Sequence, residues 1–424
     1  MERPSLKHQM LKRFISSDFN RNSLVLLSGT VISQALPLIF APILARLYSP
    51  SDFGAFSLFF SIAVVLGTVS SAKLDLALYT SLGRENALIT AMSGIVFSLL
   101  FSLLIGIICW ISYFIWELKS LPISVLLLIP FTVFLIGCSQ SLMAFSNREK
   151  KFSAISKAKV ILGLVWVSVN VGLGFTNLGV FGLALGYSMG QLFSVLKLAY
   201  SNRKAFFLVR FNVAIFKRNL LRNRSFAFIF LPAHLINTVA SNGPSFLLSS
   251  MFGLEANGYY FKAARVGESP TGVIRNSLGN VFWQQASHGY ITNGSARKEM
   301  ISFLGKLLLI GIVPYVLAYL YAEEIFFLLF GAKWANAATY FTILAPYFFI
   351  QFIIAPVTIM VVLANKPWVD ITWQIFFGLS VLSSFYIGWY YHDVYLTLRL
   401  YTIFMIIMQL VALGINFHFS IKKQ

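Results

Sequence analysis

The sequence predicts an all-α polytopic membrane protein of twelve transmembrane helices in two six-helix halves. Three observations predict it. Of 424 residues, 58% are apolar and only 11% charged, with a mean hydropathy of +0.78; soluble domains sit near 45–50% and about 25%. The apolar residues fall into twelve runs of spanning length, which takes roughly 20 residues each. The 33 Lys and Arg against 14 Asp and Glu, net +19, lie almost wholly between those runs and on one side. A soluble enzyme is excluded by the first observation. In a soluble chain the basic excess would suggest nucleic acid; here it is topological, and no nucleic-acid partner is expected.

The twelve segments are 24–47, 53–80, 91–113, 122–146, 156–175, 178–200, 225–252, 257–285, 299–322, 335–364, 368–390 and 395–419. Before the first lies a basic stretch, 1–22, without a short apolar core or a small-residue cleavage site, so no removable signal peptide is expected. Segments 53–80 and 257–285 are the least apolar, the two that a hydropathy window would pass over. Prolines inside segments, such as Pro37, Pro130, Pro244, Pro270, Pro314 and Pro346, are tolerated at membrane depth because neighbours re-satisfy the freed backbone groups. Cys109 and Cys138 fall in apolar runs and imply neither a disulfide framework nor a metal site.

With both termini cytoplasmic, 25 of the 33 cations lie on the inner side. Three lie outside (Arg46, Lys119, Lys333) and five within spans (Lys73, Lys262, Arg265, Arg275, Arg399). That asymmetry is a strong positive-inside signal. The outer connections are short, and no P-loop, HExxH or nucleophile elbow is present, so enzyme chemistry has no visible seat. The longest inner connection, 201–224, carries seven cations and no acid, and reads as an inside anchor. It divides the chain into a basic segment 1–22, a bundle 23–200, the connector 201–224, a second bundle 225–419 and a tail 420–424.

The halves resemble each other. At an offset of 204, LYSPSDFGAFSLFF (47–60) lies on MFGLEANGYYFKAA (251–264), aligning Gly54 with Gly258. An even number of spans per half puts both halves the same way up, with the repeat axis along the membrane normal and the substrate site expected in the cleft between them.

Charges at membrane depth are costly and face protein or water. On a helix at 100° per residue, Lys262, Arg265, Glu268, Ser269, Gly272, Arg275, Asn276 and Gly279 fall in one arc of about 140°. Lys262 to Arg275 spans roughly 20 Å at 1.5 Å per residue. This is a mainly cationic ladder, relieved by Glu268, with a proline hinge expected at Pro270; it suits an anion such as phosphate, which Arg can grip with two hydrogen bonds. In the second span, Lys73 and Asp75 stand two apart, point to different sides of a helix, and each needs a partner elsewhere. Asp75 and Glu268 are read as counter-charges or as a coupling site for H+ or Na+. Arg46 and Arg399 lie near an outer end, where long cations snorkel to the interface. Ser33, Gln34 and Asn237 are candidates for the same cleft. His234, beside Pro232, can titrate near neutral pH but reads as hydrogen-bonded inside.

Arg46, Pro50, Asp52, Phe53 and Gly54 in ILARLYSPSDFGAFSLFF, with their counterparts in MFGLEANGYYFKAARV, carry a resemblance to a known family. The chain resembles, over its whole length, the O-antigen and lipid-linked oligosaccharide flippases, in the polysaccharide-exporter branch of the multidrug/oligosaccharidyl-lipid/polysaccharide superfamily. The resemblance implies a V-shaped central cavity that alternates between inward- and outward-open forms in the bacterial inner membrane. It also implies cargo: an undecaprenyl-diphosphate-linked oligosaccharide, turned to the periplasmic leaflet for surface polysaccharide synthesis. Membrane lipids, a polysaccharide polymerase and a chain-length regulator are the implied partners; no cofactor or metal is. The substrate-binding set on this reading is Lys262, Arg265, Arg275, Lys73 and Arg46. A cation-coupled drug or small-metabolite exporter of the same fold is the second reading.

Overall fold

The computed structural model describes residues 18–81, 83–114, 121–206, 213–223, 231–292, 294–358, 360–364 and 366–421. Most of the basic segment 1–22, part of the connector 201–224 and the end of the tail lie outside these residues.

The first half contains α1 (Asp18–Ile39), α2 (Ala41–Leu47), α3 (Pro50–Ser70), α4 (Leu74–Thr80), α5 (Arg84–Phe114), α6 (Ile123–Arg148), α7 (Phe152–Gly174) and α8 (Val180–Phe206). After α9 (Val213–Arg222) in the connector come α10 (Leu231–Met251), α11 (Gly253–Thr292), α12 (Arg297–Leu320), α13 (Ala322–Phe330), α14 (Ala335–Ile354), α15 (Met360–Leu363), α16 (Pro367–Tyr390) and α17 (Val394–Phe419). Among the described residues the long helices are α1, α3, α5, α6, α7, α8, α10, α11, α12, α14, α16 and α17, six to a half, one for each expected span. Nine spans among the described residues are long and apolar enough to cross a membrane by length and composition; α8, α10 and α11 fall short through their polar residues. The expectation for the second span is corrected: Pro50–Ser70 has a mean hydropathy of 2.0, because the polar Lys73 and Asp75 are not in that helix.

The break after Ser70 is local. Ala72 and Lys73 both take left-handed backbone, φ 49° and 55°, a conformation costly for residues with a Cβ. Lys73 becomes the residue from which α4 starts. Asp75 then accepts from Ser71 Oγ at 2.8 Å, and Ser71 reaches Gln140 Oε1 of α6 at 3.2 Å. The partner of Asp75 is therefore a hydroxyl across the break, not a distant helix. The start of α3 is set by sequence: Ser49 and Asp52 form a reciprocal capping box, with Pro50 in the first turn, satisfying otherwise orphaned N–H groups. Asp393 caps α17 through Tyr395 N and Leu396 N. By contrast α11 runs unbroken through Pro270. In that turn the Gly267 carbonyl also accepts from Tyr315 Oη of α12 at 2.9 Å, which ties α11 to α12 beside the proline; the carbonyl that Pro270 itself leaves without a helical N–H is that of Val266, four residues back.

Within the first half, α1 and α7, α7 and α8, α5 and α6, and α3 and α6 pack together. In the second, α11 packs on α14, α14 on α17, and α16 on α10 and α17. The halves meet mainly where α3 crosses α10 and α11. We call the end holding residues 40–54 and 251–258 the distal end, and the end near α4 the proximal one.

Candidate functional site

At the distal end the two glycines aligned by the repeat touch. A Cβ on Gly54 would collide with the Leu254 carbonyl and press on Gly258 N; one on Gly258 would collide with the Pro50 carbonyl and press on Gly54 N. Pro50 and Leu254 are themselves one offset of 204 apart, so the crossing is reciprocal, as across a two-fold axis. Hydrogen bonds seal the same end. Asn257 Nδ2 donates to the Gly54 carbonyl at 2.9 Å, and Ser57 and Ser245 share a buried hydroxyl pair at 2.9 Å. A short strap after α13 clamps the end of α2: Trp334 Nε1 donates to the Ala45 carbonyl at 3.0 Å, and Lys333 Nζ to those of Arg46 at 3.1 Å and Tyr48 at 2.7 Å. The strap turns at Gly331, φ 89° and ψ 172°, a region essentially restricted to glycine. Tyr48 donates to the Asn170 carbonyl at 2.7 Å; burial, then the nearby Asp52, push its hydroxyl up to about 12, so it stays a neutral donor.

Below this closure lies a cavity of about 350 Å³ between the halves. Helices α1, α2, α3, α7 and α8 form one wall, with Gln34, Leu44, Phe53, Phe56 and Trp166; α11 and α14 form the other, with Lys262, Arg265, Glu268, Ser269 and Gln351. The arc read from the sequence is thus brought together at the cavity for Lys262, Arg265, Glu268, Ser269 and Gly272. Arg265 is exposed to the cavity, its guanidinium carbon 5.0 Å from the Phe60 ring centre and 4.9 Å from that of Phe261. Glu268, one turn on, acts on it electrostatically. Lys262 is only 4% exposed and lies over three ring faces: Phe53 at 3.8 Å, Trp334 at 4.6 Å and Phe330 at 5.1 Å. Cations over aromatic faces are attracted by the ring quadrupole.

The other candidates lie elsewhere. Arg46 is exposed at the distal end and does not line the cavity; α2, which carries it, contributes Ala41 and Leu44 to the lining instead. Lys73 is buried, 7% exposed, at the proximal break with Asp75, also outside the lining. The side chain of Arg275 lies outside the described residues. Ser33 and Gln34 line the cavity, whereas Asn237 does not; Arg399 is exposed. His234 is exposed on α10 and is acted on electrostatically by Lys73 and Asp75.

Sequence reasoning passed over Gln351 and Trp334. The Gln351 Oε1 is buried without a hydrogen-bond partner, although it lines the cavity. No periodic signal marks it in the apolar run of α14. On the facing wall, Trp166 Nε1 donates to the Asn170 side-chain oxygen at 2.9 Å, so that amide is already engaged.

Two six-helix halves around a charged cleft, sealed at one end, define a multi-pass membrane protein. The chain belongs to the family described as "Polysaccharide biosynthesis protein", whose profile matches residues 43–339. No curated protein sequence matches it. Among solved structures it shares its fold with the lipid II flippase MurJ in an inward closed conformation, at TM-score 0.72 and 17% identity, covering 92% of this chain and 87% of that one. It is also similar to an inward-facing multidrug-resistance MATE transporter of the MOP superfamily, at TM-score 0.65 and 14% identity, covering 94% and 93%. A third is a MOP superfamily transporter from Pyrococcus furiosus, described as having a binding pocket of reversed polarity, at TM-score 0.60 and 14% identity, covering 99% and 98%.

Proposed function

We propose that this protein is a flippase for undecaprenyl-diphosphate-linked oligosaccharide, moving repeat units from the cytoplasmic to the periplasmic leaflet by alternating access. The observation that carries the reading is the cavity's charge: among the described residues Arg265 and Lys262 line it with a single acid, Glu268. A diphosphate is an anion that such a wall attracts and Arg can hold with two hydrogen bonds, while a polyprenyl tail stays in the bilayer. The positive-inside count supports an inner-membrane protein with both termini cytoplasmic, which makes the distal end the periplasmic one and this form sealed outward. Residues 23–200 and 225–419 are taken as the moving bundles, joined by the connector 201–224. Arg265 and Lys262 are the proposed substrate residues; Arg275 continues their helix, and Lys73 and Arg46 would meet substrate at the proximal and distal ends. Glu268 and Asp75 are counter-charges or coupling groups. O-antigen or a related surface polysaccharide is the proposed product pathway, with a polymerase and a chain-length regulator downstream.

The test is complementation of a deletion strain. Wild type should restore surface polysaccharide; Arg265→Glu should insert in the membrane, restore none and leave lipid-linked repeats on the cytoplasmic side. Full complementation by Arg265→Glu refutes the anion path. Sodium- or proton-driven efflux of a cationic drug, independent of polyprenyl lipid, would instead establish the exporter reading.

A further inference from the structure

Lys262 is the anomaly of the cavity. Its ammonium is buried, yet among the described residues no carboxylate or hydrogen-bond acceptor pairs with it; it rests only on the faces of Phe53, Trp334 and Phe330. The other charge acting on it, Lys333, is also a cation. An ammonium out of water without an acceptor is costly, and ring faces satisfy its three N–H donors poorly. The cage straddles the halves: Phe53 belongs to the first, Phe330 and Trp334 to the second. Its rings also belong to the seal. Phe53 packs edge-on to Trp334 at 5.4 Å, and Trp334 holds the Ala45 carbonyl. Lys262 therefore touches the distal closure on one side and the cavity on the other.

We propose that Lys262 is the trigger of the distal gate, held in the closed form by this cage and drawn out of it by a diphosphate bound at Arg265. The proposal rests on the anion-path reading above and adds how binding there is transmitted. Arg265 lies one turn along α11 from Lys262, a rise of about 4.5 Å, so the two phosphates of a diphosphate reach both side chains. Phosphate oxygens give the ammonium the acceptors and the opposite charge that the rings lack. When it turns to them, Phe53 and Trp334 lose the cation that both faces share, and the strap is free to swivel at Gly331. Linkage requires the reverse as well: a gate held open binds the anion more tightly.

The experiment uses the full chain in lipid nanodiscs, with Cys109 and Cys138 replaced and spin labels at Thr176→Cys and Glu324→Cys, exposed distal positions on opposite halves. Undecaprenyl diphosphate is the probe and undecaprenol the control. In the labelled parent, the diphosphate should move the inter-label distance to a longer population and undecaprenol should not. Lys262→Met should bind the diphosphate within about tenfold of the parent, through Arg265, yet keep the short distance; Lys262→Arg should restore the shift. Phe53→Leu combined with Trp334→Leu should populate the long distance without ligand. A shift in Lys262→Met equal to the parent's overturns the trigger and leaves the anion path standing; so does a double cage variant that stays closed. A parent that does not bind undecaprenyl diphosphate, or binds it as well with Arg265→Gln, overturns the anion path and the trigger with it.

Discussion

Replacing Gly54 with alanine adds one methyl group at the point where α3 and α11 cross. The structure fixes what it meets: the Leu254 carbonyl and Gly258 N, both main-chain atoms within the partner helix. Neither can rotate aside, so the helices must separate. Overpacking a fitted contact costs about 1–3 kcal/mol, and on the proposed alternating-access reading, in which the crossing opens, that cost falls on the closed form. The closed-to-open ratio should drop by about 5- to 150-fold. Cysteines at Ser57 and Ser245, whose hydroxyls now sit 2.9 Å apart, report closure through their rate of disulfide formation once Cys109 and Cys138 are replaced. Gly54→Ala should slow that rate at least fivefold, and Gly258→Ala similarly. The double variant should cost less than the sum, because one separation relieves both clashes. Gly172→Ala, with open space around the added atom, should leave the rate unchanged. An unchanged rate in Gly54→Ala, or additive effects in the double variant, would refute the view that this crossing is the distal seal.

Further outcomes follow from other contacts. Arg148 donates to the Leu78 carbonyl at 2.7 Å and the Gly83 carbonyl at 3.1 Å; Arg148→Ala should cost about 1.5–3 kcal/mol, read as a lower thermal midpoint in detergent. Asp52→Ala removes half of the capping box and should cost about 1 kcal/mol in the same assay. Gln351→Leu removes the unpartnered amide oxygen from the cavity wall; repeat-unit transport in the complementation assay should fall while melting does not. An impermeant maleimide added to intact spheroplasts should label Thr176→Cys and spare Lys204→Cys, and the opposite pattern inverts the proposed topology.

The spans were legible because apolar length and charge asymmetry are imposed by the bilayer itself. The Lys262, Arg265 and Glu268 arc was legible for a related reason: charge at depth must face the interior, so periodicity suffices to place it. The glycine repeat was legible as a weak likeness, and the reciprocal contact supplies its physical reason. What escaped were features decided by tertiary packing. Nothing between Ser70 and Leu74 carries the glycine or proline that marks a break, since the left-handed turn at Ala72 and Lys73 is held by Ser71 bonding Asp75 and Gln140. Arg46 entered the substrate-binding set as a cation at the outer end of the first span, but which residues of α2 face the cavity is decided by packing, and these are Ala41 and Leu44. Trp334 acquires its meaning only when the strap folds over α2, which no local pattern encodes.

The crossing at Gly54 and Gly258 is the contact that two identical chains would make about a two-fold axis. Joining such partners in one polypeptide removes the obligation for the two sides to match. At the offset that pairs the glycines, Lys262 and Arg265 correspond to Leu58 and Ser61, so the cations of this arc stand on one half and neutral residues on the other. An anion held by them is fastened to a single partner of the pair. On the proposed alternating-access reading it would travel as a passenger of the second bundle, past a first-half cavity wall whose described lining residues are neutral.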